Sequence, residues 1–229
     1  IAVIGLASGN ENFLTYISLA TGTASRRVTL VNISDIQKDF GAGLVSLDGS
    51  YVAAGYAGIY CAAVDAGEPI TRKSLGSVFD VDTFSDPFLT NEKDQMAANG
   101  VTDIERQGLD IRIRHAVTTD PSTTFTWEAK MTRSADYISN AVRQILDDTL
   151  TGKRFTVSST GDDVSLLAKG NLTFFFKSIT DPRQQIAVSV TDLSVVKDSV
   201  VPQQIDIRAN IALTTDVLWP FAILGFSVG

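Results

Sequence analysis

A single cysteine, Cys61, and a single histidine, His115, are all the soft metal ligands this 229-residue chain has. One thiol cannot close an internal disulfide, and one Cys with one His cannot furnish a zinc site, so stapled and zinc-built folds are both excluded. No apolar run approaches the ~20 residues that cross a bilayer. No signal-peptide pattern opens the chain, and the expectation is a soluble product made and kept in a cytoplasm. Positive charge is scarce as well: 19 Lys and Arg stand against 26 Asp and Glu, a net charge of −7. An acidic surface attracts neither phosphate backbones nor anionic lipid, which sets aside nucleic acid and membrane and leaves protein as the expected partner. Ile1 falls inside what reads as a strand, with no methionine before it. The expectation is a piece of a longer protein.

What is present suits a packed fold, with 44% hydrophobic and 20% charged residues, and a length that can bury a sizeable core. "IAVIGLASG" is a short apolar run ending in glycines, "NENFLTYISLATG" is a helix candidate, and "RRVTLVNI" alternates as a strand. A helix is expected from Asp48, as cap, to Gly67, its small residues suited to close packing on a sheet. Another is expected from a Thr90 or Asn91 cap to a stop at Gly100.

Beyond Gly100 the periods are cleaner. Ile111, Ile113, His115 and Val117 share one parity while Asp110, Arg112 and Arg114 take the other, a half-buried strand. Phe125, Trp127, Ala129 and Met131 then oppose Thr126, Glu128, Lys130 and Thr132, with "TTDPSTT" as the turn between, so a hairpin is expected. Helical spacing follows through Ile138, Val142, Ile145 and Leu146 up to Gly152, and a further helix from about Asp162 to Ile179 through Leu166, Leu167 and Phe175. Period two returns with Ile186, Val188 and Val190, and again with Ile205, Ile207, Ala209, Ile211 and Leu213. The fold class read from this order is α+β, with an α/β-like N-terminal part and a mixed sheet on which helices pack. Residues 1–229 read as one domain, and a subdivision near residue 100 is the alternative.

Catalytic patterns were sought in the same residues. A dinucleotide loop starting at Gly5 needs glycines where Ala7 and Asn10 stand, "TGKRFT" lacks the rest of a phosphate loop, and no G-x-S-x-G occurs. Asp147 with Asp148, and Asp162 with Asp163, sit near helix ends where solvation and capping explain them. His115 shares the parity of the buried isoleucines, which favours a structural histidine over a base. Cys61, in the Ala-rich "YAGIYCAAV", is expected as a buried inert thiol, and Trp127 as a core residue. No enzyme, cofactor or metal is expected, although "IAVIGLASG" keeps a nucleotide-binding enzyme domain open as an alternative.

Taken in order, "YVAAGYAGIYCAAVDAGEPITRKSLG", "NGVTDIE", "IRIRHAVTTD" and "TRSADYISNAVRQILDDTLTGKRF" resemble the conserved half of contractile tail sheath proteins from bacteriophages and related particles. The resemblance covers Tyr51 to Gly229; Ala116 departs from it, where the motif commonly has glycine. It implies a tail sheath-like core and a homo-oligomer stacked as rings, six subunits to a ring, around an inner tail tube. Baseplate and tail terminator proteins would be further partners, and the virion tail the location after assembly in the host cytoplasm. It implies contraction that drives the tube through a cell envelope, with neighbours held by exchanged strands. Another virion component, such as a tube, baseplate or capsid protein, is the remaining alternative.

Two site expectations follow. Residues 216–229 are apolar at both parities: Val217, Trp219, Phe221 and Ile223 on one, Leu218, Leu224 and Phe226 on the other. A strand of that kind needs cover on both faces, and Pro220 removes one ladder donor, so it is expected as a donated edge-like arm or as a closing strand of its own domain. Lys153, Arg154, Lys177 and Arg183, isolated cations in an acidic chain, are the expected contacts with acidic residues of the inner tube.

Overall fold

The computed structural model describes residues 1–6, 12–32, 35–63, 65–75, 83–85, 87–108, 110–150, 157–158, 161–184, 186–197 and 205–214. The chain opens with β1 (Ala2–Gly5), α1 (Phe13–Thr23) and β2 (Val28–Val31), then β3 (Asp35–Asp39), β4 (Leu44–Ser46) and α2 (Gly49–Ala62). β5 (Thr83–Ser85), α3 (Thr90–Ala98), β6 (Val101–Gln107) and β7 (Asp110–His115) follow. The second half holds α4 (Thr124–Trp127), α5 (Ala129–Leu150), β8 (Val157–Ser158), β9 (Gly161–Asp162), α6 (Asp163–Ile179), β10 (Ala187–Lys197) and β11 (Ile205–Leu213).

The central sheet runs β1-β2-β6-β7, parallel across the first three strands and antiparallel between β6 and β7. The class is therefore α+β with a mixed sheet. Successive strand residues face opposite sides, so Leu30 packs with Tyr16, Ala20, Met96 and Val101 against α1 and α3, while Val31 packs with Val52, Tyr56, Ile104 and Ile113 against α2. Alternation along β6 likewise sends Val101 to the α1–α3 side and Ile104 to the α2 side, and a register shift opposite Asp103 and Ile104 adds an extra residue, Arg114, to β7. The outer edge of β7 is occupied by residues 72–75: Arg72 N–H donates to Ile113 O at 2.6 Å, Ile113 N–H to Lys73 O at 3.0 Å, and Leu75 N–H to Ile111 O at 2.6 Å.

A second core lies between α5, α6 and the β10–β11 pair, built from Ile138, Ala168, Leu172, Phe176, Ile179, Ile186 and Val195. α5 belongs to both cores. Its first turns bury Ala129, Met131, Thr132 and Ser134, and its later turns present Ile138, Val142, Ile145 and Leu146 to α6.

The expected hairpin after "TTDPSTT" does not form. β7 pairs with β6 instead, and the second run is helical over α4 and α5. Thr123 starts α4 by accepting from Thr126 N–H at 3.1 Å while Thr126 Oγ1 accepts from Thr123 N–H at 3.2 Å, a reciprocal cap that outcompetes the alternation. One bridge, Val117 to Glu128, is all that remains of the strand pairing among the described residues. The cap of α3 is Leu89, with Glu92 Oε2 accepting from its N–H at 2.8 Å, rather than Thr90 or Asn91. α2 does start from an Asp48 cap, but it ends at Ala62, short of Gly67.

Candidate functional site

The TTD segment and its neighbours form a hydrogen-bonded joint. Thr118 N–H donates to Trp127 O at 2.7 Å and Thr119 N–H to Val28 O at 2.9 Å. Thr119 Oγ1 accepts from Ser25 N–H at 3.0 Å and donates to Ser25 O at 3.1 Å, and Thr102 Oγ1 exchanges bonds with both Val117 N–H and Val117 O. Asp120 accepts from Ser122, which holds its carboxyl below the usual range. Gly100 makes the close approach possible: its φ is +84°, and a Cβ there would stand 2.7 Å from Thr118 O. Thr102, Thr118 and Thr119 join β6, α4 and the approach to β2, and Asp120 closes its own turn, which leaves the segment a structural joint.

His115 is 3% exposed; with Arg114 as the extra residue of a bulge, it pairs with Asp103 while Ile113 pairs with Ile104, so it is buried on the face of β7 opposite Ile111 and Ile113, against the expected parity. Burial, with Arg114 next, pushes its pKa down to about 4, so the imidazole is neutral near pH 7. Its Nε2 accepts from Arg114 Nε at 3.4 Å, and Arg114 itself reaches Asp94 at 2.6 Å and Glu105 at 3.6 Å. Trp127 is partly buried at the end of α4 and donates from Nε1 to Ala97 O at 2.8 Å, tying α4 to α3.

Cys61 is exposed, which corrects its expected burial. The buried positions of α2 are Gly49, Val52, Ala53, Gly55 and Tyr56, and Cys61, nine residues past Val52, falls about half a turn round from it. Val188 is likewise 67% exposed instead of sharing the inward face of Ile186 and Val190, because β10 shifts register between Ala187 and Ser189. A second shift lies between Thr191 and Ser194, where Asp192 has φ 57° and accepts from Asn210 Nδ2 at 2.8 Å. Leu166 and Leu167 are 60% and 44% exposed: the stripe α6 buries is Ala168, Leu172, Phe176 and Ile179.

Gly5, the candidate phosphate-loop glycine, meets the start of α2: a Cβ on it would stand 2.0 Å from Gly49 O. Helix packing explains that glycine without a nucleotide. Among the described residues no group of three His, Cys, Asp or Glu side chains could hold a metal, and no helix is long and apolar enough to cross a membrane.

Of the expected tube contacts, Lys177 is exposed in the last turn of α6 and Arg183 is exposed in the turn beyond it. Lys153, Arg154 and the whole 216–229 segment lie outside the described residues. What the structure adds is a pair of strands, β10 and β11, that form a sheet of two with no third strand among the described residues, and an α6 whose outward face carries Phe174 at 78% exposure. Sequence reading missed that face because leucines and phenylalanines fall on both the inward and the outward side of α6, so periodicity could not choose between them.

No family model and no curated protein matches this chain. Its fold, however, is shared with solved structures of contractile particles. A chain of the anti-feeding prophage baseplate, solved with 6-fold symmetry, superposes with TM-score 0.69 at 12% identity, over 100% of this chain and 69% of that one. The sheath complex of the extracellular contractile injection system PVC, in its contracted state, gives 0.70 at 11% identity, over 99% and 63%. The sheath tail protein of Desulfitobacterium hafniense gives 0.63 at 13% identity, over 93% and 56%. The chain thus has the tail sheath fold, and spans between half and seven-tenths of the length of these proteins.

Proposed function

We propose that this chain is the core of a sheath subunit of a contractile tail or injection particle. The subunit polymerises around an inner tube and rearranges as the sheath shortens, driving the tube through a target envelope. The observation that carries the reading is the sheath fold extending over at least 93% of the chain in each comparison. A turnover role finds no support in the polar groups of the TTD joint, which are spent on joining strands and helices.

In this reading residues 1–229 act as one core domain, in six-membered rings, with tube, baseplate and tail terminator proteins as partners in a virion tail. The β10–β11 pair is the place where neighbours are linked. Two strands alone make a marginal sheet, and an added strand supplies main-chain hydrogen bonds that hold subunits together. Residues 216–229, with Val217, Leu218, Trp219, Phe221, Ile223, Leu224 and Phe226, are the proposed donated arm. Lys177, Arg183, Lys153 and Arg154 are the proposed tube-facing set. Electron microscopy of the full-length protein tests the reading: helical tubes wide enough to enclose a second tube are expected, and a protein that stays monomeric with and without its tube would refute it.

A further inference from the structure

α6 has three kinds of surface around its axis. The inward stripe is Ala168, Leu172 and Ile179, all fully buried, with Phe176 at its edge. Opposite that stripe stands an apolar crest: Leu166 at 60%, Leu167 at 44% and Phe174 at 78% exposure. On one flank a groove of about 250 Å³ runs between α6 and β10, with Lys169, Thr173 and Lys177 at its rim and Phe176, Val190 and Leu193 as its floor. On the other flank a groove of about 380 Å³ runs between α6 and α5, where Phe174, Phe175 and Ile145 meet Asp148. Asp147 beside it is also exposed. Lys169 and Lys177 lie eight residues apart, about 12 Å along the helix, and neither they nor the two aspartates form an ion pair among the described residues.

A single helix thus separates a basic apolar groove from an acidic apolar groove, with aromatic and aliphatic side chains left in water along the ridge. An exposed ridge of this kind marks an interaction site. The charge pattern selects its occupant, because the chain carries on its own surface the complement of each groove. Grooves of unlike sign attract when different faces of two copies meet, and a contact between unlike faces runs on into a ring or a filament instead of closing as a two-fold dimer.

We propose that the outer face of α6 is a contact between successive copies of this chain, the Lys169/Lys177 groove of one copy receiving the Asp147/Asp148 end of α5 from the next, with Phe174 buried between them. The assignment rests on the sheath reading above. It moves Lys177 out of the tube-facing set and leaves Arg183 there.

The test is a charge swap in the full-length protein, polymerised without tube and read by electron microscopy and sedimentation. Lys169→Glu with Lys177→Glu is expected to reduce polymer at least tenfold while the thermal transition is unchanged, since all four side chains are exposed. Adding Asp147→Lys and Asp148→Lys to the same chain is expected to restore polymer. Polymer unaffected by the lysine reversals, or lost and not restored by the swap, overturns the proposal; normal sheath polymer with loss of tube co-assembly alone assigns the lysines to the tube instead. A second readout keeps the two readings apart. In a Cys61→Ser background, a Lys169→Cys chain mixed with an Asp148→Cys chain is expected to form a disulfide between copies. If wild type forms no tubes, the sheath reading fails, and the presence or absence of that cross-link still decides this one.

Discussion

Lowering the pH from 7 toward 4 tests how His115 is held. Its imidazole is buried, accepts from the Arg114 guanidinium and has a pKa lowered to about 4 from an ordinary 6.5. Asp94 and Glu105 oppose the lowering, and Arg72 reinforces it. The unfolded chain therefore binds a proton between pH 6.5 and 4 that the folded chain refuses. The contribution is fully present above pH 6.5 and is lost as pH falls through that window. At ~1.36 kcal/mol per pH unit, the interval from 6.5 to about 4 corresponds to about 3 kcal/mol. Urea unfolding of wild type and of His115→Gln, at half-unit steps from pH 7.5 to 4, isolates the term. Other groups contribute alike to both proteins, so the difference between the two curves is the histidine's share. The wild type is expected to lose about 3 kcal/mol more than the variant across the window, while at pH 7 the variant is less stable by about 1 to 3 kcal/mol. Parallel curves would refute the argument that burial and Arg114 keep this ring neutral, and a variant of unchanged stability that fails to assemble would refute its structural role.

Gly100→Ala is expected to destabilise by more than about 2 kcal/mol in thermal unfolding, because a left-handed φ and a contact with Thr118 O add together. Cys61 is expected to react fully with a maleimide in the folded protein, with the melting temperature unmoved; protection of the thiol until unfolding would restore its buried assignment. Trp127→Phe removes the Nε1 bond to Ala97 O and is expected to cost about 1 kcal/mol, read by chemical denaturation. Removing Asp216–Gly229 is expected to leave a cooperatively folding core by calorimetry that no longer forms tubes. Tubes from the truncated chain would rule out the arm, and loss of folding would identify a closing strand of the domain itself.

The sequence made the element order legible wherever one face of an element is buried and the other wet. β7 alternates because Ile111 and Ile113 pack toward α2 while Arg112 and Arg114, partly buried, reach Glu105 and Asp94, and β11 alternates between more and less exposed positions. It misled where two periods coincided. Residues 125–132 satisfy the period of a strand, and the deciding signal was the Thr123 to Thr126 cap, worth about 1 kcal/mol but placed where the helix must begin. The bulges of β10 have no compositional signature, so the outward turn of Val188 could be seen only in the ladder. Within the candidate surface, the lone cations Lys177 and Arg183 were visible as exceptions in an acidic chain. Lys169, Phe174 and Asp148 become one surface only when α5 and α6 pack and the grooves beside the helix exist.

α5 also ties the two cores into one mechanical unit. Its first turns are clamped: both terminal nitrogens of Arg27 reach Asp136 at 2.5 and 2.6 Å, Ser134 Oγ donates to Ala66 O at 3.1 Å, and Arg133 lies 5.5 Å over the Tyr60 ring. Beyond Asp136 the helix runs on to Leu150, about 21 Å into the second core, with no proline on the way. A rod fixed at one end is a lever. A tilt of about 10° at the clamp swings the far end through roughly 4 Å. In the proposed sheath, a small turn of the central sheet would therefore be enlarged at α6 and the β10–β11 pair.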